Sequence, residues 1–232
     1  MKTIILAAGK SPRLLPLTEH IPQALLKVGQ RTILEIQIEN LKQAGLKDIV
    51  VVTGYLSEKL EEFCQKLKIK TLFNPFYNVS GIAMSLWIAK EELKNGFIFL
   101  YSDVLFNSEA VEGLLKIQKD ICLAIKKDGL REEAEKVVEE EGIIKSVSKI
   151  NLSQGNGEFI GIAKFSDRGA LEIIKELEDI SRQDINASFI KVIDSFIKKG
   201  GQVGAYNIRG ARFVDIDFPE DLKKAEEIFG QL

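Results

Sequence analysis

Three stretches concentrate residue types able to handle phosphates and a metal ion: LAAGKSPRLLPLT (6–18), FIFLYSD (97–103) and VDIDFPEDL (214–222). The first opens as the end of an apolar run and passes into a loop, so backbone N–H groups after it can point at an anion. Gly9 lets a ligand approach the backbone closely. Arg13 offers a planar fork for phosphate oxygens, and Lys10 a mobile point charge. The Gly-Lys-Ser/Thr triplet of a Walker-type loop is absent, so the segment taken alone reads equally well as a polar strand-to-helix turn. Asp103 stands just past the second run, at the kind of strand end where ligands gather in open α/β sheets. A carboxylate beside an anion loop suits Mg²⁺, which takes one or two carboxylates together with phosphate oxygens and water. Asp215 and Asp217 are candidates for the second carboxylate, because alternate positions on an extended segment share a face, with Ile216 on the other. Asp217 taken alone also suits an N-cap for a helix starting near Pro219.

These residues need a frame. KTIILA (2–7), DIVVVTG (48–54) and FIFLYSD (97–103) are short, nearly all-apolar runs of the kind buried on both faces of a parallel sheet. Helical periodicity fills the gaps: TILEIQIENLKQAG (32–45) ending at a Gly stop, SEKLEEFCQKL (57–67) with Ser57 as N-cap, and GIAMSLWIAKEEL (81–93). The alternation predicts an α/β fold, a Rossmann-like mostly parallel sheet flanked by helices. From about 120 to 165 the rhythm changes to the short strands ICLAIKK, EKVVEEEG, IIKSVSKI (143–150) and EFIGIAKF, which predict a smaller antiparallel insertion or lid. Helices return over 168–178 and 186–199, then the strand QVGAYNI (202–208), then a strand, turn and closing helix over 212–229.

At 232 residues the chain fits a single domain over 1–232. A net charge of −2 gives no global basic field for nucleic acid or an anionic membrane. No apolar run approaches the roughly 18 residues that span a bilayer. Cys64 and Cys122 lack metal spacing and fall in apolar patterns, which predicts buried free thiols and a cytoplasmic location. With His20 as the lone histidine, a zinc site is disfavoured.

LAAGKSPRLLPLT and PQAL (22–25) resemble the opening motif of the nucleoside-diphosphate-sugar pyrophosphorylase-like nucleotidyltransferase superfamily, LAAG-x-G-x-R-L-x-P-L-T followed by P-K-x-L. TILEIQIENLKQAGLKDIVVVTGY, YSDVLF and FVDIDFPEDLKKAEEI are similar to its later segments, so the resemblance covers essentially the whole chain. NPFYNVSGIAMSL (74–86), EFIGIAKFS (158–166) and the short length look most like its CTP-using branch, the inositol-1-phosphate and phosphocholine cytidylyltransferases. The resemblance implies transfer of CMP from CTP to a small phosphorylated alcohol, with Mg²⁺ as cofactor and pyrophosphate released. It implies nucleotide contacts from Leu6, Ala7, Ala8, Gly9, Ser80, Gly81 and Ser85, phosphate contacts from Arg13, and metal ligation by Asp103 and Asp217, with Asp215 as the fallback. Acceptor contacts are assigned to Lys126, Lys136, Lys149 and Glu158.

Two positions depart from the motif. Ser11 replaces its second Gly, and can donate to phosphate if its φ is negative. Gln23 replaces the Lys that neutralises the transferring phosphate, so Lys10 or Lys27 would have to supply that charge. A cationic acceptor would need an aromatic or acidic cage, for which Trp87, Phe159 and Tyr206 are candidates. A sugar-1-phosphate nucleotidyltransferase using UTP or dTTP, and a non-catalytic nucleotide-binding regulatory protein, remain alternatives. Members of this branch can be fused to a membrane transferase that consumes the activated alcohol, so a fused or separate transferase is the expected downstream partner.

Overall fold

The computed structural model describes residues 1–132, 134–149 and 155–230. The chain opens with β1 (Lys2–Ala7), then the Gly9 loop, then a hairpin of β2 (Lys27–Val28) and β3 (Arg31–Thr32). Helix α1 (Ile33–Gln43) begins at a capping box, in which Glu35 N–H donates to Thr32 Oγ1 and Thr32 N–H donates to Glu35 Oε2. It stops just before Gly45, whose φ of +86° suits glycine. Next come β4 (Asp48–Thr53), α2 (Ser57–Lys66) and β5 (Lys70–Phe73). Ser57 is not the N-cap of α2. Leu56 holds that place at φ +50°, in a turn closed by Ser57 N–H on the Gly54 carbonyl, so Ser57 is already the first helical residue.

The 81–93 segment divides into α3 (Ile82–Ile88) and α4 (Lys90–Leu93). Then follow β6 (Phe97–Tyr101), β7 (Val104–Phe106), α5 (Ser108–Leu115), β8 (Ile121–Lys126), β9 (Lys136–Glu140), β10 (Ile143–Ser148) and β11 (Gly157–Phe165). Ile150, the end of the strand read over 143–150, lies outside the described residues. The chain closes with α6 (Asp167–Gln183), α7 (Phe189–Lys198), β12 (Val203–Asn207), β13 (Phe213–Asp215) and α8 (Pro219–Phe229).

Nine strands form one mixed sheet in the order β5-β4-β1-β6-β11-β8-β12-β10-β9. β5, β4, β1 and β6 run parallel, as their unbroken apolar runs require. β11 runs antiparallel to both β6 and β8, β9 and β10 pair antiparallel, and β12 lies parallel to β8. The 120–165 strands therefore form no separate lid. They extend the same sheet, because β11 pairs directly with β6.

Alternate residues of the parallel strands feed two cores. Ile4, Val50, Val52, Phe97 and Phe99 pack with α3, α6 and α7 on one face. Ile5, Val51, Ile98 and Leu100 pack with α1, α2 and α5 on the other. A third cluster joins Leu14, Val28, Ile33, Leu105, Val214, Ile216 and Phe229, and so ties the first loop, the hairpin, β7, β13 and α8 together. From β1 the chain passes to β4 on one side and later to β6 on the other, so the carboxyl end of β1 is a topological switch point. Among the described residues, no helix is long and apolar enough to cross a membrane.

Candidate active site

The switch point opens into a cleft. Register sets Leu6 of β1 beside Tyr101 of β6, and Ser102 N–H donates to the Leu6 carbonyl, so the chain after β6 emerges next to the Gly9 loop. The turn carrying Asp103 is held from beneath by Gln37 of α1, fully buried, whose Nε2 donates to the Tyr101 and Val104 carbonyls at 2.9 and 2.7 Å. Phe213–Asp215 pairs antiparallel with Val104–Phe106, and this two-stranded ladder brings the VDID segment alongside. Ile216 N–H then donates to the Asp103 carbonyl at 2.9 Å. Ile216 is fully buried in the third core cluster, so its neighbours Asp215 and Asp217 both face the cleft.

The result is three carboxylates, Asp103, Asp215 and Asp217, with one oxygen of each within 4.8 Å of the others. Asp103 Oδ1 is buried and, among the described residues, has no hydrogen-bond partner. Burial, then repulsion from Asp215 and Asp217, pushes the Asp103 carboxyl well above the usual carboxylate range. Burial also raises Asp215, against the pull of Arg131. Three hard oxygen donors, one of them orphaned and costly to ionise alone, are what a divalent cation such as Mg²⁺ would relieve. Asp217 does not cap α8. Its carboxylate takes Arg13 Nη2, while Asp221 Oδ2 accepts from the Asp217 and Phe218 N–H groups at the start of that helix.

Leu6, Ala7, Ala8, Gly9, Ser80, Gly81 and Ser85 all line this cleft, as do Arg13, Gln23, Lys149 and the three aspartates. Ser85 is fixed by Asn74 Nδ2 at 3.0 Å, and Gly81 N–H donates to the Ile185 carbonyl at 2.9 Å. Other sequence candidates do not line it. Lys10 is exposed, with its ammonium over the Tyr55 ring at 5.9 Å. Lys27 is exposed on β2. Lys126 lies over Phe213 and donates to the Gly129 carbonyl at 3.2 Å. Lys136 pairs in register with Ser148 of β10 and with Glu158 of β11, so β9 has a strand on either side there. Glu158 is fully buried, and its carboxylate is taken by Arg131, so it has no free face for an acceptor hydroxyl. Trp87 and Tyr206 are also elsewhere. Trp87 packs against Lys90, and Tyr206 packs against Gly113 in the opposite core, so the cage of Trp87, Phe159 and Tyr206 does not form. Ser11 adopts φ +48°, so the negative φ required for its hydroxyl to donate to phosphate is not met, and the hydroxyl donates to Gln23 Oε1 instead.

The cleft also contains Arg131, Glu135, Tyr77, Tyr101, Phe159 and Gly161, of which only Phe159 was singled out from sequence. Arg131 Nη2 donates to Asp215 Oδ2 at 2.6 Å. Burial works against its charge, but Asp215 and Glu158 outweigh it and keep the guanidinium protonated. Burial raises Glu135 to about 7, with Lys149 and the Tyr101 hydroxyl pulling the other way. Arg131 sits in DGLREEAE, an acidic stretch with no motif spacing, and nothing in the sequence marks it as belonging beside the VDID carboxylates.

The chain is similar to known proteins over most of its length. Residues 3–177 match the MobA-like NTP transferase domain. The choline-phosphate cytidylyltransferase of Streptococcus pneumoniae is 30% identical over 217 residues, covering 84% of this chain and 93% of the relative. The CTP:phosphoglutamine cytidylyltransferase of Campylobacter jejuni is 28% identical, covering 96% of this chain and 98% of the relative. The inositol-1-phosphate CTP transferase from T. maritima superposes with a TM-score of 0.85 at 22% identity, over 98% of this chain and 94% of that one, a likeness of fold. With a glycine loop at the sheet's switch point, three aspartates facing it and a matching family over three quarters of its length, this chain belongs to the MobA-like NTP transferase domain family.

Proposed function

We propose that this protein is a Mg²⁺-dependent cytidylyltransferase that transfers CMP from CTP to the phosphate of a small phosphorylated alcohol. Inositol-1-phosphate and phosphocholine are the acceptors to test first. The observation that carries the reading is the convergence of Asp103, Asp215 and Asp217 to within 4.8 Å across from the Gly9 loop. In the reaction an acceptor phosphate oxygen bonds to the α-phosphorus of CTP, the bond from that phosphorus to the bridging oxygen breaks, and pyrophosphate leaves. No covalent enzyme intermediate is needed.

The chain contributes position and charge. Backbone N–H groups after β1 face the triphosphate, and Ser80, Gly81 and Ser85 flank the base. Arg13 stands at the mouth of the loop, where its fork can pass from Asp217 to phosphate oxygens. Arg131 and Lys149 line the side of the cleft formed by the β8–β11 region and supply the cations an incoming acceptor phosphate requires. Asp103, Asp215 and Asp217 would hold Mg²⁺, which when bound neutralises charge on the triphosphate as it develops.

The test is pyrophosphate release measured across CTP, UTP and dTTP against inositol-1-phosphate, phosphocholine and glucose-1-phosphate. The reading expects release with CTP and a phosphorylated alcohol, and its loss in Asp103→Ala. Release only with UTP or dTTP and the sugar phosphate would replace it with a sugar nucleotidyltransferase.

A further inference from the structure

The two positions at which the first loop departs from the motif it resembles touch each other. Ser11 Oγ donates to Gln23 Oε1. Gln23, 8% exposed, then donates from Nε2 to the Ile216 carbonyl at 2.6 Å. Ile216 lies between Asp215 and Asp217, and its N–H is already on the Asp103 carbonyl at 2.9 Å. Both polar groups of Ile216 are thus held, one by the strand end that carries Asp103 and one by Gln23. The other end of the strut is anchored as well. The Ser11 carbonyl accepts from Leu14 N–H at 3.0 Å and from the buried Thr18 hydroxyl at 3.1 Å.

We propose that Gln23 is a positioning residue that, oriented by Ser11, fixes the Asp215–Ile216–Asp217 segment and so sets the spacing of its two carboxylates from Asp103. The inference rests on the reading of these aspartates as metal ligands. The chemistry of the two side chains makes them a pair. A Gln amide can accept from a hydroxyl at one end and donate to a carbonyl at the other. A lysine at position 23 can donate to the Ile216 carbonyl but cannot accept from Ser11, whose half-buried hydroxyl would lose its partner in the protein. A glycine at position 11 has no hydroxyl to satisfy and adopts φ +48° freely. Ser11 with Gln23, or Gly with Lys, are therefore each self-consistent, and the mixed combinations are not. Where the resemblance implies a lysine charge on the phosphate side, Gln23 supplies a tie on the carboxylate side.

The test reads metal binding directly. Free Mn²⁺ is titrated by its paramagnetic resonance signal in the presence of α,β-methylene CTP, for the wild type and for Gln23→Met, Ser11→Ala, the Ser11→Ala/Gln23→Met double variant, Gln23→Lys and Ser11→Gly/Gln23→Lys. Groups that orient metal ligands commonly carry about 10- to 100-fold in affinity, so Gln23→Met should weaken half-saturation by about tenfold. Ser11→Ala should weaken it less, and the double variant should be no worse than Gln23→Met alone. Gln23→Lys should bind more weakly than Ser11→Gly/Gln23→Lys. A Gln23→Met protein that melts lower but binds Mn²⁺ like the wild type would overturn the proposal, since Gln23 would then only support the fold. Additive losses in the double variant would overturn the partnership with Ser11. A wild type that takes up no Mn²⁺ with the analogue would instead remove the metal reading beneath it.

Discussion

Arg131 and Glu158 meet through three hydrogen bonds: the Arg131 N–H to Oε2 at 3.1 Å, and Nε and Nη2 to Oε1 at 2.8 and 2.6 Å. Glu158 is wholly buried, so its charge is matched by protein, chiefly this guanidinium, with Lys126 Nζ 3.5 Å away. The same Arg131 Nη2 reaches Asp215 at 2.6 Å. One buried glutamate on β11 thereby fixes a cation against the carboxylate cluster. Stripping one partner from a buried pair commonly costs about 3–5 kcal/mol, because the charge left behind has no water. Arg131→Ala should cost about 3 kcal/mol, the low end because Lys126 remains near. Urea unfolding at neutral pH checks this, and a loss below about 1 kcal/mol would mean that Lys126 already satisfies Glu158.

Asp103→Ala and Asp217→Ala should each lower kcat by at least about a hundredfold while leaving the far-ultraviolet spectrum intact. Both carboxylates sit just past strand ends already fixed by backbone bonds, so the fold does not need their charge. Steady-state kinetics at saturating Mg²⁺ decide. If Asp217→Ala stays active while Asp215→Ala is dead, the second ligand is Asp215 and Arg131 must leave it when metal enters.

How far the sequence reaches is visible in these residues. The apolar runs that became β1, β4 and β6 are read by composition, and a carboxylate directly after such a run is readable as lying at a strand end. Alternation along VDID put Asp215 and Asp217 on one side and Ile216 in the core, as found. Arg131 is not legible, because its role depends on Glu158 and Asp215, 27 and 84 residues away, which no local pattern encodes. Glu158 failed for a related reason. In an apolar strand a carboxylate reads as a ligand-facing group, whereas here a distant arginine comes to bury it. Lys10, Lys27, Lys126 and Lys136 show the limit for long flexible cations, whose backbone position does not say where the ammonium rests.

Glu135 should make the stability of the metal-free protein pH-sensitive. Its carboxyl is raised by burial to about 7, above the roughly 4.3 of an unfolded chain. The native state therefore holds a proton that the unfolded state has released between those values. This group's contribution to stability is full below about pH 4 and is lost as pH rises through about 7. Melting of the metal-free protein should fall over that window, and Glu135→Gln should flatten the fall. An unchanged slope in Glu135→Gln would assign the effect to other groups.

CTP should be preferred over UTP by at least about tenfold in kcat/KM, because a site that pairs the cytosine amino group leaves a buried acceptor unmet when a carbonyl replaces it. The segment expected to read the base is held rigid by Asn74 on Ser85 and by the Ile185 carbonyl on Gly81 N–H. Competition kinetics with the two nucleotides measure the ratio, and equality would leave the base unread by this wall.

The most direct measurement is phosphorus magnetic resonance of protein, CTP and inositol-1-phosphate or phosphocholine with Mg²⁺, followed over time and repeated with excess chelator. Paired pyrophosphate-diester resonances of a CDP-linked product should grow in step with free pyrophosphate, and neither signal should appear once the metal is removed. Pyrophosphate without the linked product, or product formation undiminished by the chelator, would contradict metal-dependent cytidylyl transfer.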